Sequence, residues 1–457
     1  MIDPPPNQPI ADALILALTR GMSLAEWGRL GMIEREWELY TQLAPHYGRL
    51  VVLSYGDPAI EAQVAARMSP APIVVTPADS ADAHPRVLAA LAGARSVLIK
   101  TNQMDGVVPA ARTAKFLRAN GLTVALVGRG GYLRSRFLAD QYGPASKQAA
   151  DAAAEEHDLC AASDAIVGTT PEMVHALSWR YGVAPERTRV VPNYVIVQGS
   201  TRCAAEREPT VLYAGQLVAR KRVDMLIRAC ACISDDNQAR LTLSIIGEGP
   251  EEPALKALVG ELGVNARFEK RLPHTELLER MRRAAIYAQA SMLEGHPKAV
   301  IEAMACGAAV IVTDSPGMRD VLTHGVTGLR VEAHVGALAD AIDLLLTDEP
   351  WREQMGHAAA HVAQEQYGLR AIVPLELAAH RQAMSTAGTF ERAQAAGVRF
   401  DPALVDAADE AAGEWERSLR AFARRLESSQ AHRVLAEVEA SIRDLRESVS
   451  GTRKVKA

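Results

Sequence analysis

Between residues 10 and 375, short apolar runs alternate with amphipathic stretches. The runs read ALILAL (13–18), LVVLS (50–54), PIVV (72–75), SVLI (96–99), TVALV (123–127), AIVG (165–168) and TRVV (188–191) in the first half. In the second half they read TVLYA (210–214), LTLSII (241–246), RFE (267–269), IYAQA (286–290) and AVIVT (309–313). Runs of this length, rich in β-branched residues and apolar on both faces, predict strands of parallel sheets. The stretches between them, such as VDMLIRACACI after Lys221 and ALKALVGEL after Pro253, carry apolar residues at helical spacing and predict covering helices. The polar segment NYVIVQGSTRCAAEREP (193–209) breaks the alternation and reads as a linker. The pattern thus predicts an α/β protein of two doubly wound, Rossmann-like domains, 1–193 and 208–375, facing each other across a cleft. After residue 385 the pattern changes. Trp415, Leu419, Phe422 and Leu426, then Leu435, Val438, Ile442, Leu445 and Val449, recur at steps of three and four. These predict a helical extension, 385–457, that either packs on the chain's own domains or mediates self-association.

Composition changes this picture little. A chain of 457 residues exceeds what one core organises, in keeping with two domains. With a formal charge of -5 it offers no basis for general nucleic-acid binding. The cysteines, Cys160, Cys203, Cys230, Cys232 and Cys306, are scattered and suggest neither a disulfide frame nor a zinc site, as expected in a reducing cytoplasm. The apolar stretch ADALILAL is too short to cross a bilayer and has no basic leader, so the expected location is cytoplasmic.

The candidate chemistry lies at strand ends. In SMLEGHPKAVIEAMACG (291–307), Pro297 suits a first helical position and Gly307 the position after the last, which predicts a short helix over about 297–306. Glu294 then lies in the turn before the helix and Glu302 in its second turn, on the same face as Lys298. The N–H groups around His296 to Ala299, with the helix dipole, offer a place for a phosphate. Carboxylates beside an anion site make sense if they hold hydroxyl groups of the same ligand. After TVLYA, the stretch AGQLVARKRVD brings Gly215, Arg220, Lys221 and Arg222 to the carboxyl end of the sheet. Alone, this basic triplet reads as a solvated loop. GEGP (247–250) reads as a tight strand-to-helix turn.

Taken together, YAGQLVARKRVDMLIRA, LTLSIIGEGPEEPALKAL, RLPHTELLERMRRA and LEGHPKAVIEAMACGAAVIVTDSPGMRDVLTHGVTGLRV resemble the donor half of retaining GT-B glycosyltransferases, the family 4 group (bacterial glycosyltransferase group 1). Glu294 and Glu302 stand as that family's Glu-x7-Glu signature. PERTRVVPN (185–193) also resembles the family's segment before the crossover, with Tyr194 where a glycine is usual. The resemblance implies a GT-B fold and a transferase that takes a sugar from a UDP- or GDP-sugar. Its catalytic residues would be Lys221, neutralising the leaving diphosphate, and Glu294, engaging the sugar. Glu302 would accept hydrogen bonds from ribose hydroxyls, while Gly295, His296, Pro297, Lys298 and Ala299 face sugar and diphosphate. Gly215, Gln216 and Arg220 complete the donor site. Most relatives carry arginine where this chain has Gln216, so Arg220 or Arg222 would compensate.

On the acceptor side, the loop expected within 19–40 offers Gly28 and Gly31, and GRGGYLRS stands where many relatives have a histidine. Gly31, Asn102, Arg129 and Tyr132, with Lys100, Gln103 and Ser135, are the candidate contacts. The implied acceptor is a glycan or lipid-linked sugar of surface polysaccharide synthesis, and peripheral contact with the inner face of a membrane is left open. No metal or other cofactor is expected, because no Asp-x-Asp motif is present. The alternatives are a sugar-nucleotide 2-epimerase of the same fold and a non-catalytic nucleotide-sugar binding protein. A sugar phosphorylase would need a pyridoxal phosphate lysine motif that is not seen.

Overall fold

The structure, a computed structural model, describes residues 9–80, 82–196, 207–319 and 321–387. Two parallel sheets organise them. The first contains β1 (Ala13–Ala17), β2 (Leu50–Leu53), β3 (Ile73–Val75), β4 (Ser96–Thr101), β5 (Thr123–Gly130), β6 (Ala165–Gly168) and β7 (Thr188–Val190), in the order β3-β2-β1-β4-β5-β6-β7. The second contains β8 (Glu208–Ala214), β9 (Thr242–Ile246), β10 (Ala266–Glu269), β11 (Ala284–Gln289), β12 (Ala309–Thr313) and β13 (Leu329–Val331), in the order β10-β9-β8-β11-β12-β13. Central strands β1, β11 and β12 are buried along their whole length, because helices cover both faces. Leu14, Leu16 and Val52 face one core of the first sheet while Ala13, Ile15 and Val51 face the other, as the period of two requires.

Three elements depart from the sequence reading. β13 was not anticipated, since three residues at a sheet edge carry too little pattern to stand out. The stretch 19–40 is mostly helical and not one loop: helices run Leu24–Arg29 and Ile33–Leu43 with Gly31 between them in a left-handed turn, φ 62°. Helix Leu369–Ser385, within which the expected boundary at 375 falls, leaves the second half and packs on the first sheet. Its Ile372, Val373, Leu377, Ala379 and Ala383 join the core of Leu14, Trp37, Tyr40 and Val127. The chain therefore crosses between halves twice, and the crossings run side by side, with Val195 bridged to Gly368. Of the expected linker, 197–206 lies outside the described residues, as does the expected extension beyond 387. Among the described residues no helix is long and apolar enough to cross a membrane.

Candidate functional site

β8 and β11 are neighbours at the point where the second sheet reverses its strand order. The loops leaving their carboxyl ends diverge there and open a crevice. The β8 loop brings Lys221 and the β11 loop brings Glu294. Lys221 Nζ lies 2.5 Å from Glu294 Oε1, and Gln289, at the end of β11, donates to the same oxygen at 3.0 Å. Arg220 reaches that oxygen at 3.4 Å and lies over the Phe137 ring at 4.8 Å. Burial pushes the Lys221 ammonium below its ordinary pKa, against the attraction of Glu294. Arg222, in a left-handed conformation at φ 48°, pairs with Asp224 at 3.0 Å. Gln216 is exposed, and its carbonyl accepts from the Tyr213 hydroxyl. The GEGP turn supports this loop from beneath. A Cβ at Gly247 would lie 1.9 Å from the Gly215 carbonyl oxygen, and one at Gly249 would lie 2.2 Å from that of Leu217.

The helix after Glu294 spans Lys298–Ala305 and ends at Cys306, with Gly307 left-handed at φ 72°. The N–H groups of Gly295, His296, Lys298 and Ala299 donate to no described residue, so the helix N-terminus presents free donors beside Lys221 and Glu294. Glu302 is buried, and its Oε1 lies 3.0 Å from His274 Nε2 and 3.5 Å from Arg35. Burial alone would raise this carboxyl; the His274 hydrogen bond and the charges of Arg35 and Lys298 outweigh it and hold the pKa below the ordinary value. Lys298 shares a helix face with Glu302 yet reaches across to Glu36, at 2.8 Å.

The first half closes on this site directly. A Cβ on Gly295 would lie 2.1 Å from the Gly131 carbonyl oxygen and 2.7 Å from Tyr132 Cβ, so only glycine admits the contact. Asn193 donates through Nδ2 to the His296 carbonyl at 2.7 Å, and through its backbone N–H to His296 Nδ1 at 3.2 Å. Burial, with Arg129 nearby, pushes the His296 imidazole down to about 3, which keeps it neutral and able to accept. Buried Pro297 completes the loop.

Residues 203–362 match the model of the family described as Glycosyl transferases group 1. The matched segment is similar to that family's domain. It contains Lys221, Glu294 and Glu302. Curated relatives include the D-inositol 3-phosphate glycosyltransferase of Kribbella flavida, 32% identical over 252 residues, which cover 50% of this chain and 59% of that one. The enzyme of the same name from Nocardia farcinica is 32% identical over 46% of this chain and 51% of its own length. The chain thus spans between half and three fifths of these relatives. Among solved structures, Anabaena HepE in complex with UDP and glucose aligns with a TM-score of 0.60 at 17% identity, over 80% of this chain and 98% of that one. The sucrose-phosphate synthase of Thermosynechococcus elongatus aligns with a TM-score of 0.60 at 19% identity, over 83% and 100%. The two sheets have the GT-B arrangement of these neighbours.

The first half places the remaining candidates unevenly. Asn102 donates its N–H to the Ala17 carbonyl, between the ends of β1 and β4 where the first sheet reverses. Gln103 accepts from the Gly131 N–H at 2.8 Å, and Tyr132 is 37% exposed against Phe137. Gly31 approaches the second half, 3.7 Å from Pro273 Cα to an added Cβ. Three candidates are committed to buried partners. Lys100 lies 2.9 Å and Arg129 3.4 Å from Glu376 of the returning helix, and Ser135 bonds Glu156. Sequence reasoning missed Arg35, Glu36, His274 and Gln289. The first two lie in a stretch read as loop, and nothing in their spacing announces a partner more than two hundred residues away.

Proposed function

We propose that this chain is a glycosyltransferase that moves a sugar from a nucleoside diphosphate sugar, UDP- or GDP-linked, to a hydroxyl of a glycan or lipid-linked acceptor in surface polysaccharide synthesis. The observation that carries the reading is the convergence of Lys221 and Arg220 on Glu294, beside the free N–H groups of the helix that bears Glu302. Breaking the bond between sugar and diphosphate builds negative charge on the leaving phosphate and positive charge on the anomeric carbon. Preorganised cations and a helix N-terminus stabilise the first, and Glu294 stands where a sugar hydroxyl or the developing cation would lie. With this charge supplied by side chains, the reading includes transfer without a metal ion. It also includes retention of configuration, the incoming hydroxyl attacking on the face that the diphosphate leaves while the phosphate takes the proton. The acceptor would lie over the strand ends of the first sheet, near Gly31, Asn102 and Tyr132. Relatives named for an inositol phosphate acceptor and neighbours solved with UDP support the class of reaction.

A panel of UDP- and GDP-sugars, incubated with and without polyhydroxylated acceptors, tests this. Acceptor-dependent release of nucleoside diphosphate is the expected result, with the anomeric configuration read by NMR. An isomerised donor with no acceptor requirement points to the epimerase, and binding without turnover to a sensor. In the active assay Lys221→Ala should lower kcat by roughly 10²-fold, about 2.7 kcal/mol, with less effect on donor binding.

A further inference from the structure

Glu302 presents its two oxygens differently. Oε1 is held by His274 at 3.0 Å and faces Arg35 at 3.5 Å. Oε2 accepts no hydrogen bond from a described residue, and it is not sealed from solvent as the unpartnered buried oxygens of Glu376 are. The two groups on Oε1 come from different halves. His274 begins the helix His274–Arg283 of the second half, whereas Arg35 sits in the helix Ile33–Leu43 of the first. That first-half helix is tied down at Arg35 and its neighbour. Glu36 pairs with Lys298 at 2.8 Å, and the Tyr194 hydroxyl donates to the carbonyls of Arg35 and Glu36 at 2.9 and 3.1 Å. The Lys298 ammonium in turn lies 4.8 Å over the Tyr194 ring. Tyr194 belongs to the crossover between halves, so one cluster joins the first half, the crossover and the donor helix.

We propose that Arg35 and His274 are positioning residues for Glu302: they hold Oε1 and leave Oε2 to a ribose hydroxyl, so that ribose recognition by the second half depends on a docked helix of the first. A carboxylate left free to rotate would present either oxygen at changing angles and lose much of a hydrogen bond whose strength falls steeply with misalignment. Held on one oxygen by an imidazole N–H and a guanidinium, it offers the other at a fixed angle, and the ribose hydroxyl need not order it. Arg35 also offsets the negative charge that Glu302 would otherwise set close to a diphosphate. The consequence is a coupling: a nucleotide that uses Oε2 favours the arrangement in which Arg35 is seated, and so favours closure of the two halves.

The inference rests on Glu302 binding ribose, and the test separates the two claims. Titration calorimetry measures the affinity of the full chain for UDP and GDP and for their 2′-deoxy and 3′-deoxy forms. Wild type should lose affinity on removal of a ribose hydroxyl, and Glu302→Gln should shrink that loss. Arg35→Ala should weaken the parent nucleotide by roughly tenfold and reduce the deoxy penalty toward that of Glu302→Gln, whereas Arg35→Lys should keep most of both. His274→Gln makes the same test from within the second half, should Arg35→Ala fold poorly. An unchanged deoxy penalty in Arg35→Ala and His274→Gln overturns the positioning role while leaving Glu302 as ribose ligand. Tighter nucleotide binding in Arg35→Ala also overturns it, by showing that Arg35 competes for the carboxylate. A wild type indifferent to both deoxy forms overturns the ribose assignment itself.

Discussion

Glu294 and Glu302 sit at opposite ends of one short turn of chain, yet their surroundings differ in kind. Glu294 is met by two cations and an amide from the loops around the strand-order reversal, where the sugar and diphosphate would be handled. Glu302 is buried on a face of the helix and met by His274 and Arg35. The two should therefore separate in binding experiments. Glu302→Ala is expected to weaken nucleoside diphosphate and nucleotide sugar alike, by about 1.5 to 3 kcal/mol, since both carry the ribose. Glu294→Ala should weaken the nucleotide sugar and leave the diphosphate nearly unaffected. Calorimetric titration of each variant with both ligands decides the matter, and equal losses everywhere would remove the division of labour. At this scale the sequence was informative about the second half. Lys221 and Glu294 each lie in the loop that leaves a strand, and a parallel sheet brings strand ends to one edge. It was silent on Arg35 and His274, whose meeting at Glu302 depends on how two separate helices are packed.

Among the elements, the returning helix Leu369–Ser385 governs the first half from beneath. Glu376 is fully buried, with Lys100 at 2.9 Å, Arg129 at 3.4 Å and His380 at 3.4 Å. His380 is bonded in turn to the Tyr47 hydroxyl at 2.7 Å. Burial favours the neutral forms, and it pushes the Lys100 ammonium down to about 8 even with Glu376 beside it. Removing the carboxylate leaves two buried cations without a counter-charge, so Glu376→Gln should cost about 3 to 5 kcal/mol of unfolding free energy. Replacing Lys100 by Met in that background should recover part of the loss, because a smaller unpaired charge is left behind. Denaturant unfolding of the single and double variants checks this, and a double variant no more stable than Glu376→Gln would argue against the pairing. Lys100 and Arg129 were legible only as polar groups at strand ends. That they face Glu376 follows from a helix that crosses back after the whole second half has folded over, which no local pattern encodes.

Across the whole molecule, buried and half-buried ion pairs tie the two halves and the returning helix together, and they set its response to acid. Burial would raise the Glu36 carboxyl, but the charges of Lys298 and Arg35 outweigh it and hold the pKa at about 2. Glu376 is likewise held below its ordinary value, burial being outweighed by Lys100, His380 and Arg129. The unfolded chain, with carboxyl pKa values of about 4.3, then binds more protons than the native one as pH falls. The stability these groups contribute is fully present above that value and is lost as pH drops toward 2. Melting temperature should hold between pH 6 and 5 and fall steeply below about pH 4, and Glu36→Gln should show a shallower fall. A slope identical to wild type in that variant would remove Glu36 from the account.

What the sequence determined by itself was the two-sheet α/β architecture and the place of the strand-end loops of the second half, because strand period, turn residues and the loop that follows each strand are local. What only the tertiary structure decided was the contact between halves: Arg35 on Glu302, Lys298 on Glu36, Gly295 against Gly131, and the return of Leu369–Ser385 to the first sheet. Each joins residues far apart in the chain. Their meeting depends on long-range packing and on the neutralisation of buried charge, neither of which leaves a period in the sequence.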